Sequence, residues 1–139
     1  MGYDVIIVGA GPAGLACALH LARLIDTHNQ GQPQGALSKD NIYLLEKGRA
    51  LGAHQLSGAV MDPRGLRELE PDFAADAALG AVPVHDDALL LFSREHALRA
   101  PITPPPLHNH GNYIVSLNRL AQWLGAKVEA AGINIFTAF

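Results

Sequence analysis

The sequence of 139 residues contains a single cysteine, few aromatic residues and no excess of positive charge. Because Cys17 is the single cysteine, the chain can form no internal disulfide and cannot ligate an iron–sulfur cluster through several cysteines. A formal net charge of −3 does not fit a nucleic-acid-binding protein, so nucleic acid is not an expected partner. No apolar run reaches the ~18 residues of a membrane-spanning helix. We therefore expect a reducing, cytoplasmic compartment, with Cys17 buried as a small core residue.

The amino-terminal sequence predicts a strand, a glycine turn and a helix. Residues 3–8 are apolar and β-branched, which is typical of a parallel strand buried on both faces. The motif G-x-G-x-x-G follows from Gly9 to Gly14 and opens into a helical pattern over 12–25. Gly9 allows a tight turn, Gly11 leaves room for a pyrophosphate, and Gly14 allows close helix packing. The pattern predicts a dinucleotide site.

A second buried strand is predicted at 42–45, directly before Glu46. A carboxylate at this point can accept hydrogen bonds from an adenosine ribose and repels a 2′-phosphate. Glu46 lies further from the glycines than the usual ~20 residues, because the polar stretch 26–39 predicts a long loop. The alternative is a surface glutamate that begins a turn with Lys47.

The composition changes between Asp62 and Asn112, where seven of the nine prolines fall. Short strand-like runs at 81–85, 88–93 and 97–102, with a turn at Asp86-Asp87, predict an antiparallel excursion from the parallel core.

A last helix and strand follow this excursion. The helix is predicted to begin after Ser116 as N-cap and to end at Gly132, and a third core strand follows at 133–136. The result is an α/β, Rossmann-like fold whose parallel sheet is incomplete, so we expect a fragment of a longer protein.

Three further sequence blocks carry a family resemblance. They are Gly52-Ala-His-Gln-Leu-Ser-Gly58-Ala, Met61-Asp-Pro and Asn109-His-Gly-Asn-Tyr-Ile-Val115. In this order, after the glycine motif and Glu46-Lys47, they resemble the electron-transfer flavoprotein-ubiquinone oxidoreductases over nearly the whole chain.

The resemblance implies an FAD-binding fold of the glutathione-reductase type. It implies a relay from reduced electron-transfer flavoprotein to ubiquinone, using FAD and a [4Fe–4S] cluster whose ligands lie outside this chain. It further implies an incomplete FAD-binding domain at 1–61 and 113–139, and an excursion toward the quinone and membrane side at 62–112. The expected location is peripheral, on the cytoplasmic face of a bacterial inner membrane.

The resemblance also assigns residues to the cofactor. Ala10 to Ala13 would face the pyrophosphate, Glu46 and Lys47 the ribose, and the loop 52–58 the flavin side. His54 is either a catalytic group or a structural residue that hydrogen-bonds to the loop, and we favour the structural role because electron transfer needs no base. No catalytic or metal-ligating residue is assigned. The cofactor set is Gly9, Ala10, Gly11, Pro12, Ala13, Gly14, Glu46, Lys47, His54, Ser57 and Gly58.

Two questions stay open at the level of sequence. Residues 51–73 are either an interfacial membrane segment or an ordinary amphipathic helix packed on the core. The function is either that of the resembled family, that of another flavoenzyme such as a prenyl-lipid reductase or hydroxylase, or that of a non-catalytic nucleotide-binding stub.

Overall fold

The computed structural model describes residues 4–31 and 35–139, which form two compact units. The parallel unit comprises Met1–Gly58 and Ser116–Phe139, and the antiparallel unit comprises Ala59–Val115. The boundaries between the two units lie at 58/59 and 115/116, three residues away from the expected boundaries at 61/62 and 112/113. Ala59–Met61 and Tyr113–Val115 are strands of the antiparallel unit.

Eight strands and three α-helices are present in the described residues. The strands are β1 Val5–Val8, β2 Ile42–Leu45, β3 Ala59–Met61, β4 Val82–Pro83, β5 Leu90–Phe92, β6 Ala97–Arg99, β7 Tyr113–Val115 and β8 Asn134–Phe136. The helices are α1 Pro12–Gly31, α2 Arg64–Leu69 and α3 Leu117–Ala130.

The parallel unit contains a three-stranded sheet in the order β1-β2-β8. Ile7 pairs with Leu44, and Leu44 with Ile135, in parallel register. Helices α1 and α3 contact each other and the sheet, and their apolar faces form the core. The residues they bury are Leu15, Ala18, Leu19, Ala22, Ile25, Leu120, Ala121, Trp123, Leu124, Gly125 and Val128. The α/β fold predicted from the sequence is therefore present.

Helix α1 is longer than the sequence predicts. It continues through Asp26 to Gly31, where the polar composition suggested a loop. The polar side chains instead hold the segment that follows: Asn29 makes two hydrogen bonds to the backbone of Leu37, and Lys39 Nζ lies 2.7 Å from Asp26 Oδ1. These polar side chains form tertiary contacts, which the amino-acid composition alone does not reveal.

Strand β1 is not buried on both faces within this chain. Ile6 is 43% exposed and Val8 82% exposed, because the helices cover only the face to which Ile7 belongs. Cys17 is also exposed, contrary to the prediction of a core position. It lies on the side of α1 away from Leu15, Leu19 and Ala22, which are buried.

The start of α3 agrees with the prediction. The Ser116 side chain accepts a hydrogen bond from the backbone N–H of Arg119 at 3.4 Å, which satisfies one N–H of the first turn. Beyond the helix, Gly132 has a φ of 88°, and its N–H bonds to Glu129 O. This is the left-handed residue that commonly ends a helix.

The antiparallel unit has two small sheets. One has the order β3-β7-β4, and the other is a hairpin of β5 and β6. The turn of that hairpin lies at Ser93–His96, where Ser93 Oγ accepts from His96 N at 3.0 Å. Asp86-Asp87 is therefore not a turn between paired strands as predicted, since β4 pairs with the distant β7.

Residues 51–73 do not form one amphipathic helix. The stretch contains β3, the six-residue α2 and part of a short 3-10 helix at Phe73–Ala75. Phe73 is 2% exposed and makes an edge-to-face contact with Tyr113, so its ring belongs to the core of the antiparallel unit. Among the described residues, no helix has the length and apolarity needed to cross a membrane.

Candidate dinucleotide site

The glycine loop connects β1 to α1 at the carboxyl end of the parallel strands. Gly9 has a φ of 97°, and its N–H donates to Leu45 O at 2.7 Å, which ties the turn to β2. Pro12 is the first residue of α1, as predicted. The N–H groups of Gly11, Ala13 and Gly14 have no hydrogen-bond acceptor among residues 4–31 and 35–139. These three donors are available to an anion.

Gly14 is required by close approach of the backbone. A Cβ at this position would overlap the carbonyl oxygen of Gly9 and would lie 3.5 Å from Ile7 Cγ2. The prediction of close packing on the strand is thus only part of the reason. The nearest obstacle is the loop itself, which passes directly over the first turn of α1.

Glu46 links the glycine loop to the turn that follows β2. Its Oε2 accepts from Ala10 N at 2.9 Å, and its Oε1 accepts from Gly48 N at 2.7 Å. A carboxylate has about four acceptor positions, so two remain for hydroxyl groups of a ligand. Glu46 therefore lies beside the glycine loop, and it also begins the turn with Lys47 and Gly48 that the alternative interpretation describes.

Glu46 is held in its charged form. The hydrogen bonds from the Gly48 and Ala10 backbones lower the pKa of the carboxyl group, and the charges of His54 and Lys47 lower it further. Partial burial opposes these effects without reversing them. The resulting negative charge disfavours a ligand with a 2′-phosphate, as expected from the sequence.

His54 lies next to the Glu46 turn. A Cβ on Gly48 would be 3.0 Å from Glu46 Oε1 and 3.3 Å from His54 Nδ1, so the carboxylate and the ring both approach the same buried glycine. Within the described part of the chain, the His54 ring forms no hydrogen bond to the glycine loop. Its contribution in this structure is electrostatic.

The other predicted residues are less closely associated with the loop. Ala10 is buried and its N–H is committed to Glu46, whereas Ala13 is exposed. Lys47, Ser57 and Gly58 are exposed, and none of them hydrogen-bonds to the glycine loop within residues 4–31 and 35–139. Their roles toward a cofactor stay predictions.

Gln55 was missed by the sequence reasoning. Its Nε2 lies 3.5 Å from the point that a Cβ of Gly11 would occupy, and within residues 4–31 and 35–139 no other group outside the chain neighbours of Gly11 lies within 4 Å of that point. The residue is part of the Gly52–Gly58 block on which the resemblance rests. Its membership of that block was the sequence feature that could have indicated a functional residue. Its proximity to Gly11 becomes visible only in the folded structure.

The antiparallel unit contains a separate cleft of about 370 Å³. Asp87 anchors its wall by accepting from Asn109 N at 2.8 Å and Asn109 Nδ2 at 3.0 Å, which lowers the pKa of Asp87. His108 Nε2 lies 2.8 Å from Thr103 O, a contact that links the two ends of the segment 103–108. Asp87 is therefore a structural residue and not simply a solvated charge.

Known proteins similar to this chain are oxidoreductases. The chain is 41% identical over 138 residues to the mitochondrial electron transfer flavoprotein-ubiquinone oxidoreductase of Bos taurus, an alignment that covers 98% of this chain and 21% of that protein. It is also 41% identical to a probable electron transfer flavoprotein-ubiquinone oxidoreductase of Acinetobacter baylyi, with 100% and 24% covered. The predicted resemblance is confirmed. The chain spans about a fifth of the length of these relatives.

Solved structures support the fold at lower identity. A geranylgeranyl bacteriochlorophyll reductase-like protein of Thermoplasma acidophilum matches 99% of this chain and 30% of its own, with a TM-score of 0.58 and 20% identity. CtdE, solved in complex with FAD, matches 99% of this chain and 30% of its own, with a TM-score of 0.55 and 17% identity. No protein-family model matches the chain.

Proposed function

We propose that this chain is the FAD-binding amino-terminal part of an oxidoreductase that passes electrons from reduced electron transfer flavoprotein to ubiquinone. The observation that carries the proposal is 41% identity along 98% of the chain to a protein of that name. The similar fold of reductase-like proteins and FAD complexes, near 20% identity, does not favour a different activity, because folds are shared among unrelated functions.

The glycine loop has the chemistry that FAD requires. The N–H groups of Gly11, Ala13 and Gly14, which have no acceptor in the described part of the chain, lie at the start of α1, where the helix dipole adds positive potential for a pyrophosphate. The charged Glu46 keeps acceptor positions for the adenosine ribose. Donors for phosphate and acceptors for hydroxyls thus lie in the order in which an adenine dinucleotide presents their partners.

The chain's own residues would bind and orient the cofactor. When bound, FAD supplies a centre that accepts and releases electrons, and the protein's task is to hold it and to adjust its surroundings. Lys47 extends the ribose site, and the loop 52–58, with His54, Ser57 and Gly58, approaches the flavin side. We assign these residues to a glutathione-reductase-type FAD domain, proposed from the resemblance at 1–61 and 113–139.

The remaining parts of the proposal concern the whole protein. Residues 62–112 face the quinone and membrane side, a [4Fe–4S] cluster is ligated outside this chain, and the protein associates peripherally with the cytoplasmic face of a bacterial inner membrane. Oxidation of reduced electron transfer flavoprotein by the full-length protein, coupled to reduction of a soluble ubiquinone analogue, tests this activity. Flavin reduction by NADPH, with hydroxylation or prenyl reduction instead, would support the alternative flavoenzymes.

FAD binding is tested with Gly11→Ala. A methyl group there would lie 3.5 Å from Gln55 Nε2, which is an ordinary contact, so the fold should survive while the pyrophosphate loses its approach. We expect the variant to lose FAD during gel filtration, while its flavin-free form melts at the same temperature as the flavin-free parent. Gly65→Ala, where a Cβ meets nothing within 4 Å, is the control and should keep its flavin. A Gly11→Ala protein with full flavin would refute the placement of the pyrophosphate.

The ribose assignment is tested with Glu46→Ala. Loss of charge-assisted hydrogen bonds to the ribose should weaken FAD binding by about 1.5–3 kcal/mol. The measurement is titration of the flavin-free protein by flavin fluorescence. Unchanged affinity would mean that the ribose is held by other groups.

A further inference from the structure

The amide of Gln55 lies over the second glycine of the loop. Its Nε2 is 3.5 Å from the Cβ position of Gly11 and is the only group within 4 Å of it among the described residues, apart from the two chain neighbours of Gly11. Gly11 directly precedes α1, so the amide is next to the unpaired N–H groups of that helix. An amide N–H₂ at this point adds a side-chain donor to a set of backbone donors.

The backbone of Gln55 is fixed from the start of α3. Gln55 N donates to Gly52 O at 3.0 Å, and the same carbonyl accepts from Asn118 Nδ2 at 2.9 Å. A Cβ on Gly52 would lie 2.8 Å from Asn118 O, so only glycine allows this contact. The loop therefore presents Gln55 to Gly11 from a rigid support.

The amide oxygen of Gln55 lacks a hydrogen-bond partner in the described part of the chain. This Oε1 atom is buried. Buried polar atoms are rarely left without a partner, so an orphan beside a ligand site calls for a donor from outside the chain. An adenine dinucleotide carries both kinds of partner, because its phosphates accept hydrogen bonds and its sugar hydroxyls donate them.

We propose that Gln55 is a cofactor-binding residue whose amide nitrogen donates to the pyrophosphate and whose oxygen accepts from an adjacent hydroxyl of the same ligand. The proposal rests on the proposed function, since it needs the dinucleotide at the glycine loop. It adds a contact that neither the glycine motif nor the acidic residue supplies.

The first test introduces charge at this point. Gln55→Glu keeps the shape but directs a carboxylate at the phosphates, and should weaken binding of FAD to the flavin-free, full-length protein by about tenfold or more. ADP, which retains the pyrophosphate, should lose affinity to a similar degree in competition. Gln30→Glu makes the same change at an exposed position near the far end of α1 and should stay within about twofold of the parent. An unchanged ADP affinity in Gln55→Glu would overturn the pyrophosphate contact.

The second test separates a ligand contact from a structural role. Gln55→Leu removes the orphaned oxygen, so the flavin-free protein should melt at the same temperature or higher, while the increase in melting temperature on adding FAD becomes smaller. A lower melting temperature of the flavin-free variant, with an unchanged FAD-induced increase, would mean that Gln55 serves the fold and would refute the proposal.

The parent protein distinguishes failure of this inference from failure of the function. A parent that does not bind FAD overturns both. A parent that binds one FAD, with Gln55→Glu binding equally well, overturns only the role of Gln55.

Discussion

The two compact units differ in the secondary-structure elements and side chains that form their buried cores. The parallel unit packs helices of 20 and 14 residues on a parallel sheet, and its core follows the apolar periodicity of those helices. The antiparallel unit has strands of two or three residues, and every residue of β5 and β6 is exposed. It depends on a few buried side chains, Phe73, Leu79, Val84 and Val115, and on bonds such as Asp87 to Asn109.

This difference has a consequence for stability and for function. In the parallel unit many side chains share the burial, and the proposed phosphate donors of the glycine loop are backbone atoms, which a substitution affects only if it moves the chain or fills the space in front of them. In the antiparallel unit a few individual side chains provide much of the stabilising burial. Four substitutions test the contrast.

The largest effect is expected from Phe73→Ala in the antiparallel unit. The ring is 2% exposed and contacts Tyr113 at a centroid distance of 5.2 Å, so its loss should cost about 3–5 kcal/mol of unfolding free energy. Denaturant unfolding followed by circular dichroism measures it. Phe92→Ala removes a 75% exposed ring and should change stability by less than about 0.5 kcal/mol. Equal effects of the two variants would contradict the idea of a few dominant anchors.

Gly14→Ala should have the next largest effect, in the parallel unit. The added methyl group overlaps Gly9 O and forces the loop away from α1, at a cost of about 2–3 kcal/mol. The melting temperature of the flavin-free protein should fall and FAD should also be lost, whereas Gly11→Ala loses FAD with an unchanged melting temperature of the flavin-free protein. A Gly14→Ala protein with parental stability would show that the loop adapts freely.

Glu46→Gln should cost about 1.5 kcal/mol at neutral pH, because the amide keeps one neutral acceptor oxygen and turns an N–H₂ donor toward the other backbone N–H. The pKa of Glu46 is lowered in the folded state, so the charge stabilises the protein above the ordinary glutamate pKa and loses this effect as the pH falls below it. The difference between parent and variant should therefore shrink from about pH 5 downward. A pH-independent difference in chemical unfolding would argue against the ionised carboxylate as its cause.

The smallest effect is expected from Ser116→Ala. The N-cap bond to Arg119 N is long, at 3.4 Å, so its loss should cost about 0.5–1 kcal/mol. Ser57→Ala, at an exposed residue whose side chain forms no hydrogen bond within the described residues, is the matched control for thermal unfolding and should be neutral. A larger loss at Ser57 than at Ser116 would reverse the assignment of the cap.

Prediction from the sequence was most accurate where neighbouring residues decide the structure. The strand before Gly9, the start of α1 at Pro12, the strand before Glu46 and the cap at Ser116 are all local patterns of apolar runs, glycine, proline and serine. Errors arose where distant residues decide. Asp26 and Asn29 extend α1 because Lys39 and Leu37 bind them, and β4 pairs with β7 rather than with the next strand.

The sequence by itself determined the strand, glycine loop and helix of the parallel unit and the acidic residue after β2, because each depends on backbone preferences within a few residues. Only the tertiary structure decided what surrounds them. It brought Glu46 to the N–H of Ala10, Gln55 to Gly11 and Asn118 to Gly52, contacts that join residues 36 to 66 positions apart. Such contacts form through packing of complete elements, and no local propensity encodes them.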